Sequence, residues 1–204
     1  MTDVPTLTDE DTANYAVINP LASAVADTYS QANLKWTKVI NTTNSIAVGS
    51  IAISSGKWYW EGTVAAAGSS NIVIGIGNTD TNFENIDSTI GMTGSTTSYA
   101  YNGATGSPVK QNNNTQTTYG ADFTTNDVIG VALDLDAGTI TFYKNNVSQG
   151  TAFTGITGTY YPACSGRFTN DSWYMNFGQR PFAYTPPTGY LKLNTFNLPD
   201  SSIV

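Results

Sequence analysis

Over most of this chain apolar and polar positions alternate with a period of two, as expected for strands rather than helices. The alternation sets in at about Tyr29. Ile46, Val48, Ile51 and Ile53 alternate with small residues, and Ser55-Gly56 supplies a turn. Lys57–Val64 places Trp58 and Trp60 on one face and Tyr59 and Glu61 on the other. In Asn71–Gly77 the isoleucines 72, 74 and 76 point one way and Val73, Gly75 and Gly77 the other, which predicts a central strand covered on both faces. Tyr99 and Tyr101 share one face of a short strand. The clearest pattern is Asp127–Asn146, where Ile129, Val131, Leu133 and Leu135 alternate with Val128, Gly130, Ala132 and Asp134. Asp136-Ala137-Gly138 then turns the chain into Thr139–Lys144, with Ile140 and Phe142 on one face. Asn145-Asn146 makes the next turn, since Asn tolerates positive φ. This is a β-meander with Leu133, Ile140 and Phe142 buried. Tyr160–Cys164 and Trp173–Phe177 add two more strands.

The remaining stretches lack that period. Met1–Asp11 reads as an exposed acidic arm, and Thr8 with Asp11 resembles a capping box. Leu7, Tyr15 and Ile18 can share the apolar face of a short helix over Asp9–Ile18, which Asn19-Pro20 would end. Asn78–Ser95 and Asn102–Gly120 are rich in Asn, Thr and Gly and are expected to be long loops. Thr185–Val204, bordered by prolines, is expected to be extended and bound to the surface. The predicted architecture is all-β: a twisted antiparallel β-sandwich over residues 36–184, an N-terminal arm with a short helix over 1–35, and an extended segment over 185–204.

Composition narrows the chemistry. Of 204 residues, 87 are Thr, Asn, Gly or Ser and only 11% are charged, yet hydrophobic content is 40%, so the chain can bury a core. Histidine is absent, which excludes triads and metal sites that need it. The lone Cys164 can form neither an internal disulfide nor a thiolate zinc site, and reads as a small buried residue. A net charge of −7 argues against binding a phosphate backbone, so no nucleic-acid partner is expected. No apolar run approaches the ~18 residues of a membrane span, and the first residues have no signal-peptide pattern. Membrane insertion is therefore not expected.

Several short motifs occur in an order that resembles the SPRY domain. They are Gly56-Lys57-Trp58-Tyr59-Trp60-Glu61, Ile74-Gly75-Ile76-Gly77, Asp127–Asp134, Gly138–Asn146, Tyr161-Pro162-Ala163 and Asn176-Phe177-Gly178. The match covers about residues 46–182. It departs from the family form at Lys144-Asn145-Asn146, where the family usually has Lys-Asn-Gly. Asn14–Leu21 and Gly178–Tyr190 look like the borders of SPRY-like modules in tailed-phage virion and tail-fibre proteins. The resemblance implies a concanavalin-like sandwich that binds through loops at one end.

Candidate chemistry is sparse. Asp134-x-Asp136 reads as a strand end and a turn rather than a metal site, because calcium needs six to eight oxygens. Glu61 and Glu84 could supply paired carboxylates, but any acidic chain meets that condition. No enzyme activity, cofactor or metal is expected. Trp58 and Trp60 belong to a dense strand pattern and read as core. Tyr99, Tyr101, Asn112, Asn113, Asn114 and Trp173 are the candidate ligand-contact residues, since long loops on a rigid sandwich often carry recognition. The function expected is a non-enzymatic virion component, made in the host cytoplasm, whose loops attach to a host-surface receptor such as a glycan. Two alternatives stand beside it: a head-decoration or tail-assembly subunit binding other virion proteins, and a peptide-binding adaptor. The apolar residues of the C-terminal segment favour a homo-oligomer.

Overall fold

A computed structural model describes residues 9–23, 26–41, 44–68, 71–81, 83, 89–92 and 98–199. Fourteen strands among them form two sheets, antiparallel except for one short parallel strand, with almost no helix. In chain order they are β1 (Thr28–Ser30), β2 (Lys35–Thr37), β3 (Ser45–Val48), β4 (Lys57–Ala66), β5 (Val73–Gly77), β6 (Ser98–Asn102) and β7 (Val109–Asn112). They continue with β8 (Thr115–Thr118), β9 (Val128–Asp134), β10 (Thr139–Lys144), β11 (Val147–Thr154), β12 (Tyr161–Gly166), β13 (Ser172–Asn176) and β14 (Leu191–Lys192). The larger sheet runs β1-β2-β13-β4-β9-β10-β11, with β14 parallel to the start of β4; the smaller runs β3-β12-β5-β6-β7-β8.

The expected meander is present. β9 and β10 pair in register with Leu133 opposite Ile140 and Val131 opposite Phe142, and all four side chains are fully buried. Its turns follow from local chemistry. Gly138 has φ +64°, and Asn145 and Asn146 have φ +47° and +70°, the left-handed pair that suits a tight hairpin. Trp36, Trp58, Trp60 and Trp173 all lie in the core between the sheets. Cys164 is buried beside them, and burial pushes its thiol pKa up, as befits an inert packing group.

β5 is buried on both faces, as its pattern predicts. Ile74 and Ile76 enter the central core, whereas Val73 joins a second apolar cluster on the outer face of the smaller sheet, with Ile46, Val48, Phe83, Ile90, Ala100 and Ala163. Phe83 and Ile90 come from the connection after β5, so part of that connection covers the sheet. Gly75 permits the fit: a Cβ there would lie 2.0 Å from the Tyr99 carbonyl oxygen.

Three expectations are corrected. The helix over Asp9–Ile18 is absent. Glu10–Thr12 forms one 3-10 turn capped by Asp9, and Pro20–Ala22 forms another capped by Asn19. Ala16 and Ile18, two apart, are the buried residues, so the local period is two. Ten residues rich in Asp, Thr and Asn form a marginal helix, and bridges from Tyr15 to Asn194 and Ile18 to Gly49 take its place. Thr8 and Leu7 lie outside the described residues. Secondly, Thr28–Ser30, within the stretch read as an arm, is an edge strand of the larger sheet. Thirdly, residues 102–120 are mainly hairpin rather than loop, because Asn113 and Asn114, at φ +51° and +58°, join β7 to β8.

The C-terminal segment docks on its own body. Leu193 is fully buried, and its carbonyl accepts from the Ala16 amide at 3.0 Å. The chain from Gly178 to Tyr190 straps across β4. There the Glu61 carboxylate, only 2% exposed, accepts from the amides of Ala183 (2.7 Å) and Tyr184 (3.0 Å) and from the Tyr59 hydroxyl (3.1 Å). Glu61 is therefore a structural latch, and Phe182 packs edge-on against Tyr59.

Candidate functional site

The outer face of the smaller sheet carries two neighbouring clefts. Pleating sends Ser98, Ala100 and Asn102 of β6 and Gln111 of β7 to that face, while Tyr99 and Tyr101 turn inward. Gln111 lies opposite Ala100 on one side and Gln116 of β8 on the other. Beside Phe83 and Ile90, which cover the sheet, a cleft of about 250 Å³ opens between Asn44, Asn71, Thr89, Met92, Asn102, Gln111 and Gln116. Five of these seven side chains are carboxamides, and none is charged. On the other side of the cover, a pocket of about 210 Å³ is lined mainly by Ala22, Val48, Phe83 and Tyr161.

A hydrogen-bonded amide chain forms the floor of the cleft. Gln111 is fully buried; its Nε2 donates to Thr89 Oγ1 at 2.8 Å and to the Ile90 carbonyl. Its Oε1 accepts from Gln116 Nε2 at 3.1 Å and from Asn102 Nδ2 at 3.4 Å. Asn102, 3% exposed, also donates to Asn71 Oδ1 at 3.1 Å, while its own Oδ1 accepts from the Ala104 amide at 3.1 Å. Such a network is rigid because each buried group is satisfied by the next.

The six residues expected at a contact surface do not form one site. Tyr101 and Trp173 are fully buried core residues on opposite sheets, both touching Phe123. The Trp173 indole donates to the Ser165 carbonyl and the Tyr101 hydroxyl to the Ala121 carbonyl, so neither ring faces solvent. Tyr99 is half-buried between Phe153 and Tyr160. Asn112 Nδ2 donates to the Ser98 carbonyl of β6 at 2.7 Å, and the Asn114 backbone amide donates to the Gly91 carbonyl of the connection after β5 at 3.1 Å. Asn113 is exposed at the hairpin tip. What was missed is the pairing across that tip. A two-residue Asn113-Asn114 turn aligns Gln111 with Gln116, a signal present in the sequence once residues 102–120 are read as a hairpin.

Carboxylates elsewhere serve turns. Asp134 accepts from the Ala137 amide and pairs with Lys57 at 3.0 Å, while Asp136 accepts from the Gly56 amide at 2.8 Å. Among the described residues no three Asp, Glu or Cys side chains are grouped to hold a metal ion.

Comparison with known proteins gives a consistent picture. The model of the SPRY domain matches residues 57–180. The chain is 40% identical over 101 residues to E3 ubiquitin-protein ligase RKP of Arabidopsis thaliana, covering 47% of this chain and 8% of that protein. It is 37% identical over 87 residues to the Ran-binding proteins 9/10 homolog of Drosophila melanogaster, covering 43% of this chain and 9% of that protein. The chain thus spans less than a tenth of the length of either relative. Among solved structures, the SPRY domain of human HERC1 superposes with a TM-score of 0.68 at 18% identity, over 80% of this chain and 99% of that one. The TRIM65 PSpry domain superposes with a TM-score of 0.64 at 13% identity, over 79% and 89%. The family match spans more than half of a chain whose two sheets also superpose on these domains. The protein belongs to the SPRY domain family, whose members commonly act as protein-interaction modules.

Proposed function

We propose that this chain is a non-catalytic protein-interaction module that engages its partner through the outer face of the smaller sheet. The observation that carries this is the juxtaposition of a rigid, uncharged, amide-lined cleft with an apolar pocket on one face, built on strands and partly covered by the connection after β5. An ordered polar floor beside an apolar pocket suits a polypeptide segment, whose side chains and amides need both. None of the side chains lining the cleft is charged, which keeps the desolvation cost of docking there low.

Selection of binders from a displayed peptide library, followed by amide-exchange mapping on the full chain, tests this. Protection at Thr89–Met92 and Asn102–Gln116 is expected. Binders that all map to the larger sheet or to the strap would overturn the assignment.

The virion setting and a host-surface receptor are proposed on the flanking residues 14–21 and 178–190 alone, and a glycan receptor or an assembly role goes with that setting. Labelling of the protein on purified phage particles is the direct test, and its absence from them would end that proposal while leaving the interaction face intact.

A further inference from the structure

The buried amide network has a fixed direction, and that direction sets what the cleft presents to a ligand. Carboxamide oxygen and nitrogen are distinguished by their partners. At one end, the Ile90 carbonyl can only accept, so Gln111 must turn its Nε2 toward it and its Oε1 toward the cleft. Gln116 can then meet Gln111 only as a donor, through Nε2. At the other end, the Ala104 amide can only donate, so Asn102 gives it Oδ1 and sends Nδ2 into the network. Asn71 can then meet Asn102 only as an acceptor, through Oδ1. Two backbone groups thus orient four side chains. The groups left over at the two ends of this network are the Asn71 Nδ2 donor and the Gln116 Oε1 acceptor, and neither has a hydrogen-bond partner among the described residues.

A donor at one end of the network, an acceptor at the other, and a lining without charged or aromatic side chains match one chemical group well: an amide, which offers a C=O and an N–H together. A carboxylate or phosphate would meet the Gln116 oxygen without a donor for it, and an ammonium would meet the Asn71 N–H without an acceptor. The cleft's roughly 250 Å³ corresponds to about eight waters at about 30 Å³ each, enough for one amide with its flanking atoms. We propose that the cleft binds an uncharged amide group of a polypeptide ligand, with its C=O toward Asn71 Nδ2 and its N–H toward Gln116 Oε1. Such an amide has two sources, an Asn or Gln side chain or the main chain of an extended segment. The assignment rests on the outer face being the interaction surface.

The test is a titration of the 15N-labelled full chain with capped pentapeptides Ala-Ala-X-Ala-Ala, where X is Asn, Asp or Ala, following the side-chain NH₂ signals of Asn71, Asn102, Gln111 and Gln116. If the Asn peptide binds at least tenfold more tightly than the Asp and Ala peptides, the source is a side chain. Equal binding of all three assigns it to the main chain. In either case Asn71→Asp should weaken binding at least tenfold, because it keeps the oxygen that accepts from Asn102 while turning the outward donor into an acceptor. Gln116→Leu, at an exposed position, provides a second variant, with the same loss expected. A preference for the Asp peptide, or binding unchanged in both variants, overturns the amide assignment but leaves the interaction face standing. Absence of shifts at the cleft with all three peptides overturns the amide assignment, and library binders mapping elsewhere overturn the face itself.

Discussion

Replacing Glu61 with alanine removes the acceptor that holds the C-terminal strap to β4. The carboxylate takes two backbone N–H groups, from Ala183 and Tyr184, at 2.7 and 3.0 Å, in a site only 2% exposed. A hydrogen bond to a charged group contributes about 1.5–3 kcal/mol net, so the pair is worth roughly 3–6 kcal/mol. The lower end applies here. Ala183 is itself exposed, so the freed amides regain water when the strap lifts. About 3 kcal/mol corresponds to a shift of roughly 10²-fold in the opening equilibrium, at about 1.4 kcal/mol per factor of ten. Because Phe182 still packs on Tyr59 and Leu193 stays buried, the loss should appear as local opening more than as global unfolding. Hydrogen exchange at the Ala183 and Tyr184 amides measures it. Glu61→Ala should accelerate both by about two orders of magnitude. Glu61→Gln, which keeps one oxygen but turns an N–H₂ toward a donor, should accelerate them by about one. Exchange changed less than threefold in both variants would refute the latch, since a carboxylate anchoring these amides cannot be removed without releasing them.

Three further outcomes are expected. Phe142→Ala, at a fully buried site against Tyr101 and Tyr119, should cost about 3–5 kcal/mol in urea unfolding; a loss below about 1 kcal/mol would contradict the packing. Gly75→Ala should abolish native dispersion in the spectrum of the smaller sheet, because its Cβ would meet the Tyr99 carbonyl at 2.0 Å; a folded variant of unchanged stability would disprove that approach. Stability should fall at both pH extremes. Glu10 is held below its ordinary 4.5 by its bond to Lys192. Burial opposes the shift at Asp127 and Asp134, yet amide and lysine partners still hold both below 3.8. Carboxyls depressed in the folded state contribute stability above their ordinary values and lose it as pH falls through the folded ones. Burial raises Tyr119 and Tyr160 to about 12 from 10.0, so their contribution is present below pH 10 and is lost as pH rises through about 12. Urea midpoints flat from pH 3 to 11 would show that these groups do not titrate differently on folding.

Much of the sandwich was legible in the chain itself, because a strand's period is local and its turns carry their own chemistry. The meander from Asp127 to Asn146, the tryptophan-rich β4 and the doubly buried β5 each follow from alternation, and Asn145-Asn146 supplies the positive φ that closes a hairpin. Where local preference was weak, the long-range partner decided. Residues 9–18 could begin a helix, but Gly49, just after β3, and Asn194 of the C-terminal segment offered Ile18 and Tyr15 bridges that a short helix could not match. Glu61 looked like any carboxylate until the chain 122 residues later placed two amides on it. Trp173 and Tyr101 were candidates for a ligand because an aromatic side chain reads the same in a core and on a surface, and only packing against Phe123 separates the two. The amide cleft shows the limit most clearly. Asn71, Asn102, Gln111 and Gln116 are spread over 46 residues. Their identity as one directed network arises only when β5, β6, β7 and β8 lie side by side and two backbone groups set which end of each carboxamide faces inward.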